Sequence, residues 1–521
     1  MALAKYFSKD LLAINRLINT DHNILTKKLE ETVISIAFDE NSINTFEGSC
    51  GMDLIIRLLS RFYPRLKIID LAGTHNCEVL AFGEQAKKIN SKLEIVDDTV
   101  KEDVLIVLGQ TEKKNIYAGL KVFLGSDNWL AKYSDRSIQK FGESNNPFGA
   151  GLAVCLTVSN VFRYVFREYL PYHDLDSEFE LSAYTLKSDS NPADNPAFEE
   201  FNIGDLVIAG VGAIGNGVVW SLSKINSLKG NIHLVDEEKV GLSNLQRYIL
   251  LEEDDEKGVK VEIAKKYLRQ NGLEVTPFKH NWDSYLNTTG NWKIKKVAVG
   301  IDNIKDRIGI QSTLPETIFN AFTEPELLAI TRHKDFINDA CLGCSNIPTA
   351  KKKDYTNEIA DNCKIPGKAN LVKDYYNLEL PVGVPIPNSN QESLLMTIAK
   401  ANGTTIEKLS RFHNMRLNEF YSDFVCGGVI LEVSNGDNQI SNVDAPLAFQ
   451  SAMAGILLAA EIVKDASSQK LEQEQRTDIY HLSPIVNGQN PFHRLIEKDL
   501  TGRCICRDED FLNGYVTKWE K

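Results

Sequence analysis

The sequence predicts an α/β protein, because a layout of strand, glycine-rich turn, helix and second strand occurs in it twice. The clearer copy is LVIAGVGAIGNGVVWSLSKINSLKGNIHLVD, residues 206–236, which opens with an apolar run typical of a buried strand. Gly210, Gly212 and Gly215 follow in G-x-G-x-x-G spacing, and the second strand ends at Asp236. The stretch is therefore one βαβ unit.

This unit predicts a nucleotide-binding site. Glycines at this spacing allow a tight turn and close backbone approach, and the free N–H groups of a helix N-terminus bind phosphate. Asp236 follows about twenty residues later, at the position where an acid holds a ribose hydroxyl. Taken by itself, the unit does not identify the nucleotide, and it favours a dinucleotide such as NAD.

The second occurrence of the layout lies near the N-terminus. Residues 48–71, GSCGMDLIIRLLSRFYPRLKIIDL, predict a glycine-rich turn, an apolar helix and a strand that ends in Asp70. A further strand is predicted at 104–108, and Gly109-Gln110 follow it where the other copy has Asp302-Asn303. We therefore predict a degenerate N-terminal copy that lacks the charged residues of the second; the alternative is an unrelated α/β domain.

Composition narrows the class of protein. A chain of 521 residues is long enough for about two to four domains, and 43% hydrophobic with 25% charged residues is typical of a soluble globular protein. The net charge of −13 argues against a general affinity for nucleic acid or anionic membrane. The N-terminus does not resemble a secretory signal, and the apolar stretch 452–463 is too short to span a bilayer. Nine cysteines without a disulfide-like frame favour a cytoplasmic protein.

Four short motifs follow Asp236 in order. After Glu238 come SNLQR at 243–247, GVKVE at 258–262, and GIDN at 300–303 with Arg307. Together they resemble the ThiF/MoeB and ubiquitin-activating superfamily, whose members show D-x-D-x-V, S-N-L-x-R-Q, G-x-x-K-x-E and D-N-x-x-x-R in the same order. The resemblance is close over about 200–310 and looser to the end of the chain.

The resemblance implies an ATP- and Mg²⁺-dependent enzyme that adenylates the C-terminal glycine of a small β-grasp protein. The sequence departs from the motifs in three places. Tyr248 replaces the usual Gln, Glu238 replaces the second Asp, and the Gly-to-Lys spacing is one residue short, so Lys257 competes with Lys260. The nucleotide-binding residues that the resemblance implies are Gly210, Gly212, Gly215, Asp236, Glu238, Asn244, Arg247, Lys260, Asp302 and Asn303.

The chemistry of these residues suits adenylation. Attack of a carboxylate on an α-phosphate places negative charge on phosphoryl oxygens, which positioned cations and a metal ion stabilise. Arg247 and Lys260 supply the cations. Asp302 follows an apolar strand predicted at 296–301, at the carboxyl end where such sheets bind ligands, and can hold Mg²⁺.

Each predicted copy ends in a long apolar helix, at 152–169 and 448–464. The superfamily's eukaryotic ubiquitin-activating enzymes likewise pack an inactive copy on an active one, and their insertions carry a crossover loop and a catalytic cysteine. We therefore predict two Rossmann-like adenylation domains in tandem with a catalytic-cysteine insertion. The predicted parts are a degenerate domain at 1–170, a linker at 171–203, an active domain at 204–345 and 425–521, and the insertion at 346–424.

Four cysteines predict a structural zinc site. Cys341 and Cys344 form a C-x-x-C pair, and Cys504 and Cys506 form a C-x-C pair near the C-terminus. Two thiolate pairs can close a tetrahedral Zn²⁺ site, and the superfamily commonly builds one from pairs far apart in sequence. The alternatives are a redox pair or unpaired thiols.

A further cysteine is predicted to accept the acyl group. Cys426 precedes two glycines that allow a sharp turn and close approach of a peptide, although apolar neighbours also fit a buried core thiol. Cys363, in a polar loop, ranks second. Cys50, Cys77 and Cys155 of the degenerate copy are expected to serve packing.

The sequence thus predicts a cytoplasmic enzyme that adenylates a ubiquitin-like protein, takes it onto Cys426 as a thioester and passes it to a ubiquitin-conjugating-type enzyme. Its tandem copies, insertion and C-x-C tail resemble the activating enzyme of bacterial Bil-type conjugation operons in antiphage defence. No nucleic acid or membrane partner is expected. Three alternatives remain: a sulfur-carrier adenylyltransferase that stops at the acyl-adenylate or a persulfide, an NAD-dependent oxidoreductase, and a non-catalytic scaffold.

Overall fold

The structure is a computed structural model of the 521-residue chain. It describes residues 14, 17–18, 20, 22–97, 99–111, 118–170, 173–188, 195–269, 272–347, 360, 363–376, 388–412, 446–467, 475–485 and 490–519.

The N-terminal half forms a seven-stranded sheet in the order β3-β2-β1-β4-β5-β6-β7. Its strands are β1 (Ile34–Phe38), β2 (Arg65–Asp70), β3 (Glu94–Ile95), β4 (Val104–Leu108), β5 (Leu120–Asp127), β6 (Leu130–Ser134) and β7 (Glu178–Ser182). The helices of this half whose bounds lie within the described residues are α1 (His22–Glu31), α2 (Glu40–Asn44), α3 (Phe46–Phe62), α4 (Asn76–Ile89) and α5 (Pro147–Phe166).

The second half forms an eight-stranded sheet in the order β10-β9-β8-β11-β12-β13-β14-β15. Its strands are β8 (Phe201–Ala209), β9 (Leu228–Val235), β10 (Leu273–Phe278), β11 (Lys296–Val299), β12 (Thr317–Thr323), β13 (Leu327–His333), β14 (Arg476–Tyr480) and β15 (Phe492–Arg494). Its helices are α6 (Ala213–Ser223), α7 (Lys260–Tyr267), α8 (Trp282–Thr289), α9 (Ile304–Ser312), α12 (Ala448–Ala466) and α13 (Glu509–Trp519).

The first seven strands of the two sheets have the same topology. In each, the first strand lies between the second and the fourth, five neighbouring strands run parallel, and the strands after the fifth are antiparallel. Strands β1 and β4 are buried at every position, as expected for parallel strands covered by helices on both faces. The prediction of two Rossmann-like α/β domains in tandem is therefore confirmed.

The glycines of the N-terminal copy do not form the turn that the sequence predicts. Gly48 and Gly51 lie inside α3, and the short helix α2 follows β1 instead. A Cβ on Gly48 would lie 2.7 Å from backbone atoms of Asn41 and Ser42. This glycine therefore permits close packing of α3 on α2 and does not shape a phosphate-binding turn.

Part of the predicted linker is also structured. Strand β7, at 178–182, lies within the segment 171–203 and pairs antiparallel with β6. Its sequence, EFELS, alternates, and Phe179 and Leu181 are buried. Two apolar side chains on one face are enough to complete the sheet edge, although the surrounding composition is polar.

The predicted insertion belongs to a separate compact unit, formed by Pro348–Ala445 with Lys5–Lys27. Both sheets belong to the other unit, which comprises Lys28–Ile347, Pro446–Lys521 and Met1–Ala4. The described elements of the insertion are α10 (Ala369–Tyr376), α11 (Asn388–Ala401) and a 3₁₀ helix at Ile406–Phe412. The insertion was predicted at 346–424.

Helix α12 fixes the position of α6, the helix that follows the glycine turn. A Cβ on Gly455 of α12 would lie 2.2 Å from the carbonyl oxygen of Ile214, and one on Gly217 of α6 would lie 2.8 Å from that of Ala452. The two helix backbones therefore touch. Helix α12 also packs against α5 of the N-terminal copy, where a Cβ on Gly151 would lie 3.2 Å from the side chain of Ile456.

One helix among the described residues, α5, is long and apolar enough to cross a membrane. The core helix of a soluble protein passes the same test, and 94% of its most apolar window is buried inside the protein.

Candidate functional site

The glycine turn lies at the carboxyl end of β8. Gly210 adopts a φ of +90°, and a Cβ there would lie 2.8 Å from the Ile301 side chain. A Cβ on Gly215 would lie 2.3 Å from the carbonyl oxygen of Gly210. Gly212 is the N-cap of α6. The predicted motif thus has a physical basis at its first and third glycines, where no other residue fits.

Asp236 closes the turn from the end of β9. Its carboxylate accepts N–H donors from Val211 and Glu238, each at 2.9 Å. Burial raises the pKa of this carboxyl, and the nearby Lys260 only partly opposes the shift. Asp236 therefore lies beside the glycine turn, as predicted.

Lys260 is a buried cation beside the same turn. Its side chain is 3% exposed, and its Nζ bonds the carboxylate of Glu238 and lies 3.2 Å from the Tyr248 hydroxyl. Burial alone would lower the pKa of Lys260, but Tyr248, Asp236 and Glu238 together raise it above its usual value. Lys257, its competitor, is exposed. Of the two candidate lysines, Lys260 is therefore the buried one, in contact with Glu238 and Tyr248.

The ring of Tyr248 lies close to both Lys260 and a second cation, Arg247, beside the glycine turn. Its ring lies 5.1 Å from Lys260 Nζ and 5.7 Å from the guanidinium carbon of the half-buried Arg247. Its hydroxyl would lie 3.4 Å from a Cβ on Gly212. The residue that departs from the motif thus links both predicted cations to the glycine turn.

Asn244 shapes the turn that carries Arg247. It lies in a 3₁₀ helix at Leu242–Gln246, and its Oδ1 accepts the Gly241 N–H at 2.8 Å.

Asp302 and Asn303 lie at the same edge of the sheet, because β11 pairs with β8 up to Val299 and Ala209. Asp302 is exposed, and Asn303 caps α9 by accepting the Lys305 N–H at 2.8 Å. Burial, and after it the Asp302 carboxylate, raises the pKa of Asp306. An exposed carboxylate at this edge suits a hydrated Mg²⁺.

The side chain of Arg307, the last residue of the motifs, bonds the backbone just before Asp302. Its Nε donates to the carbonyl of Ile301 at 2.7 Å, and burial lowers its pKa to about 10.

The corresponding edge of the N-terminal copy is occupied by Asp39, which the sequence analysis missed. It follows β1 as Gly210 follows β8. Its carboxylate accepts the N–H groups of Asn41 and Gln110, both at 2.9 Å, and would lie 2.0 Å from a Cβ on Gly109. The acid takes up backbone donors at the strand ends and would repel a phosphate there. An acid directly after a buried strand was the available signal.

The four predicted cysteines come together. The Sγ atoms of Cys341, Cys344, Cys504 and Cys506 all lie within 4.8 Å of one another. The individual separations are 3.3 Å for 341–504, 3.4 Å for 344–506, 3.7 Å for 344–504 and 4.0 Å for 341–344. Ligands about 2.3 Å from a tetrahedral Zn²⁺ stand roughly 3.8 Å apart, so the donor set fits zinc.

The surroundings of the cysteine cluster also suit a metal. Asp499 donates its N–H to Cys344 Sγ at 3.4 Å, and its carboxylate accepts the Cys504 N–H at 2.8 Å. A Cβ on Gly343 would lie 3.0 Å from Cys504 Sγ and 3.2 Å from Cys341 Sγ. These contacts shape and orient the sulfur atoms from outside the cluster.

Of the two candidate acyl-accepting cysteines, Cys363 lies within the described residues. Cys426 lies outside the described residues. Cys363 is buried, and burial raises its pKa to about 12, which does not suit a nucleophile. Cys50 and Cys155 are buried, as expected of packing residues, but Cys77 is exposed near the start of α4, so its predicted packing role is wrong.

The sequence analysis also missed three residues of α3. Asp53, Arg57 and Arg61 reach from the N-terminal copy to the second copy, two of them to backbone carbonyls that follow Arg247. The available signal was a charged residue at every fourth position of an otherwise apolar helix.

Comparison with known proteins gives two family matches. Residues 196–483, more than half of the chain, match the ThiF family, and residues 37–167 match prokaryotic E2 family C. The uncharacterized protein y4jF of Sinorhizobium fredii is 35% identical over 524 residues, covering 100% of this chain and 98% of that one.

Solved structures of E. coli MccB also match. Those with MccA-N7isoASN, with AMPCPP and SeMet MccA, and with ATP are 21%, 21% and 22% identical, with TM-scores of 0.26, 0.25 and 0.25. Each match covers 41% of this chain, and 59%, 59% and 58% of those chains respectively.

The cysteine cluster predicts about one zinc per chain by metal analysis of the purified protein. Changing Cys504 and Cys506 together to Ser should release the metal and lower the melting temperature, because the site would lose two of its four ligands. Cys77→Ser, an exposed cysteine outside the cluster, is the control and should keep the zinc. A double variant that retains its metal would exclude the site.

The contrast between Gly210 and Asp39 predicts one ATP-binding site per chain. Titration calorimetry with ATP and Mg²⁺ should give a stoichiometry of about one, because Asp39 already takes up donors at the N-terminal edge. Lys260→Ala should weaken that single site by removing a cation beside the glycine turn. Two equivalent sites, or binding unchanged in Lys260→Ala, would contradict the prediction.

Proposed function

Because the chain belongs to the ThiF family, whose members adenylate a carboxylate with ATP, we propose that it activates a ubiquitin-like β-grasp protein at its C-terminal glycine. The observation that carries the proposal is the buried Lys260 ammonium, which lies with Arg247 around Tyr248 beside the glycine turn. An NAD-dependent oxidoreductase would need the turn but not this pair of cations. Adenylation needs them, because negative charge grows on the phosphoryl oxygens.

Each residue then has a part in the reaction. The modifier's carboxylate attacks the α-phosphate of ATP, the bond to pyrophosphate breaks, and a modifier adenylate forms. Arg247 and Lys260 stabilise phosphoryl charge, and Asp236 with Glu238 holds the ribose. Asp302 would hold the Mg²⁺ from its exposed position, with Asn303 capping the adjoining helix. Magnesium supplies further charge neutralisation.

The second step is transfer of the modifier to Cys426 as a thioester. The thiolate attacks the acyl carbon and AMP leaves, after which a ubiquitin-conjugating-type enzyme takes the modifier. Support for Cys426 comes from its place just after the predicted insertion, beside Gly427-Gly428, and from the burial of its competitor Cys363. A nucleophilic thiol must be exposed and of lowered pKa, which Cys363 is not.

We place this activity in bacterial antiphage defence and in the cytoplasm. The first rests on the resemblance of tandem copies, insertion and C-x-C tail to Bil-type activating enzymes. The cytoplasmic location rests on the four clustered cysteines, which are free thiols in an arrangement that suits a metal and are not joined as disulfides. Nucleic acid and membrane are not proposed partners, in keeping with the net charge of −13.

One observation favours a second function. Because Cys363 is buried, the reaction stops at the adenylate if Cys426 takes no acyl group, as in a sulfur-carrier adenylyltransferase. The two functions share the adenylation site and differ only in the thiol step.

The first prediction from this proposal concerns Asp302. Exchange of labelled pyrophosphate into ATP should depend on a β-grasp protein ending in glycine, and Asp302→Ala should slow it by on the order of a hundredfold or more. Glu274→Ala removes an exposed carboxylate near the start of β10, away from the carboxyl edge, and should leave exchange unchanged. Equal exchange in the Asp302 and Glu274 variants would remove Asp302 from the mechanism.

The second concerns Cys426. Incubation with modifier and ATP should give a higher-mass band that a reducing thiol removes, and Cys426→Ala should lose the band while keeping pyrophosphate exchange, because adenylation needs no thiol. Cys363→Ala should keep both. A band that persists in Cys426→Ala would move the assignment, and the absence of any thiol-sensitive band would favour the sulfur-carrier activity.

A further inference from the structure

Helix α3 of the N-terminal copy carries a charged stripe on a largely buried surface. Asp53, Arg57 and Arg61 stand four residues apart, so their side chains follow one another along one face of the helix. Arg57 is 8% exposed and Arg61 is fully buried. Buried arginines require partners that offset the loss of hydration. Each of the two arginines has partners in the second copy.

The two arginines hold four consecutive carbonyl groups. Arg57 Nη1 donates to the oxygens of Ile249 at 3.1 Å and Leu250 at 3.4 Å. Arg61 Nη2 donates to those of Tyr248 at 2.9 Å and Leu251 at 2.5 Å. Hydrogen bonds from a charged donor are stronger than neutral ones. The segment 248–251, which we call the clamped segment, is therefore fixed to the first copy along its whole length.

The clamped segment adjoins both cations of the proposed adenylation site. Arg247 immediately precedes it, and the Tyr248 hydroxyl at its start lies 3.2 Å from Lys260 Nζ. The Leu250 N–H of this segment donates to Asn216 Oδ1 at 3.3 Å. The Nδ2 of the Asn216 side chain in turn donates to the Gly212 carbonyl of the glycine turn at 2.9 Å. One residue, Tyr248, thus separates Arg61 from the buried lysine.

Asp53 secures the other end of the arrangement. Its carboxylate accepts from Arg57 Nε and from Trp220 Nε1, both at 2.8 Å, and pairs with Lys224 at 2.9 Å. Burial would raise the pKa of Asp53, but Arg57 and Lys224 hold it well below its usual range, so the carboxylate stays charged. Trp220 lies in α6 and Lys224 caps it, and α6 begins at the glycine turn.

We propose that Arg57 and Arg61 are positioning residues of the adenylation site, which act through Tyr248 on Lys260 and Arg247. This inference rests on the proposed function. The first copy is then a working part of the site, because it fixes the phosphate-binding cations before ATP arrives. Catalytic sites gain most from charges that need no reorganisation during the reaction.

A double-mutant cycle on the full chain tests the proposal. ATP·Mg²⁺ affinity by calorimetry and pyrophosphate exchange are measured for the wild type, Arg61→Ala, Tyr248→Phe and the double variant. Arg61→Ala should slow exchange by on the order of tenfold or more, and Tyr248→Phe should slow it too. The double variant should be little slower than the worse single variant, because both changes break one chain of contacts. Arg61→Lys should restore part of the rate.

Arg163→Ala is the matched control. Arg163 is an equally buried arginine of the first copy, but its guanidinium bonds Asp174, Asn160 and Asp176 and not the clamped segment. Its loss should lower the melting temperature, and its effect on exchange should add to that of Tyr248→Phe. If Arg61→Ala acted only by lowering the stability of the protein, its effect on exchange would likewise add to that of Tyr248→Phe.

The outcomes are separable. Failure of the wild-type protein to bind ATP·Mg²⁺ would contradict the proposed function itself. Wild-type binding and exchange with an additive Arg61–Tyr248 cycle would overturn only the positioning role. If Arg61→Ala does not fold, Arg57→Lys and Arg61→Lys keep the charge with fewer donors, and exchange at the wild-type rate in both would equally overturn it.

Discussion

The buried charge of Lys260 is the constraint on which the site depends. An ammonium that is 3% exposed is stable only if partners replace its water, and Glu238, Tyr248 and Asp236 do so. Two of these partners are held in turn: Asp236 by two backbone N–H groups, and Tyr248 through its carbonyl by Arg61. The unfavourable free energy of burying Lys260 is thus offset by a network of contacts that spans both copies.

The two copies show how little separates a nucleotide-binding edge from a closed one. Their sheets share strand order and direction, so the frame offers the same edge twice. Gly210 leaves the end of β8 open, whereas Asp39 at the end of β1 takes up the N–H groups of Asn41 and Gln110. Because buried backbone donors must be paired, an internal carboxylate that satisfies them leaves less for a phosphate to bind.

The sequence predicts the features that local spacing controls. The glycine turn, the strands before Asp236 and Asp302, and the pairing of cysteines within each motif depend on near neighbours, and the structure has them. The clamped segment could not be predicted, because Arg61 and Tyr248 are 187 residues apart and meet only after the copies pack. Strand β7 was missed because only two buried side chains, Phe179 and Leu181, complete the sheet edge within a polar stretch.

The cysteine cluster supports the site from the far end of one helix. Helix α9 begins just after Asp302. Near the other end of this helix, Gln311 Oε1 accepts the N–H of Leu342 at 2.8 Å, and Leu342 lies in the turn that carries Cys341 and Cys344. Trp519 of the C-terminal helix donates to the Leu314 carbonyl at 2.9 Å, just beyond α9. A metal that joins the two cysteine pairs would hold both contacts at once. The cluster therefore braces the helix that begins beside Asp302, the proposed magnesium ligand, as α3 braces the segment that adjoins Arg247 and Lys260.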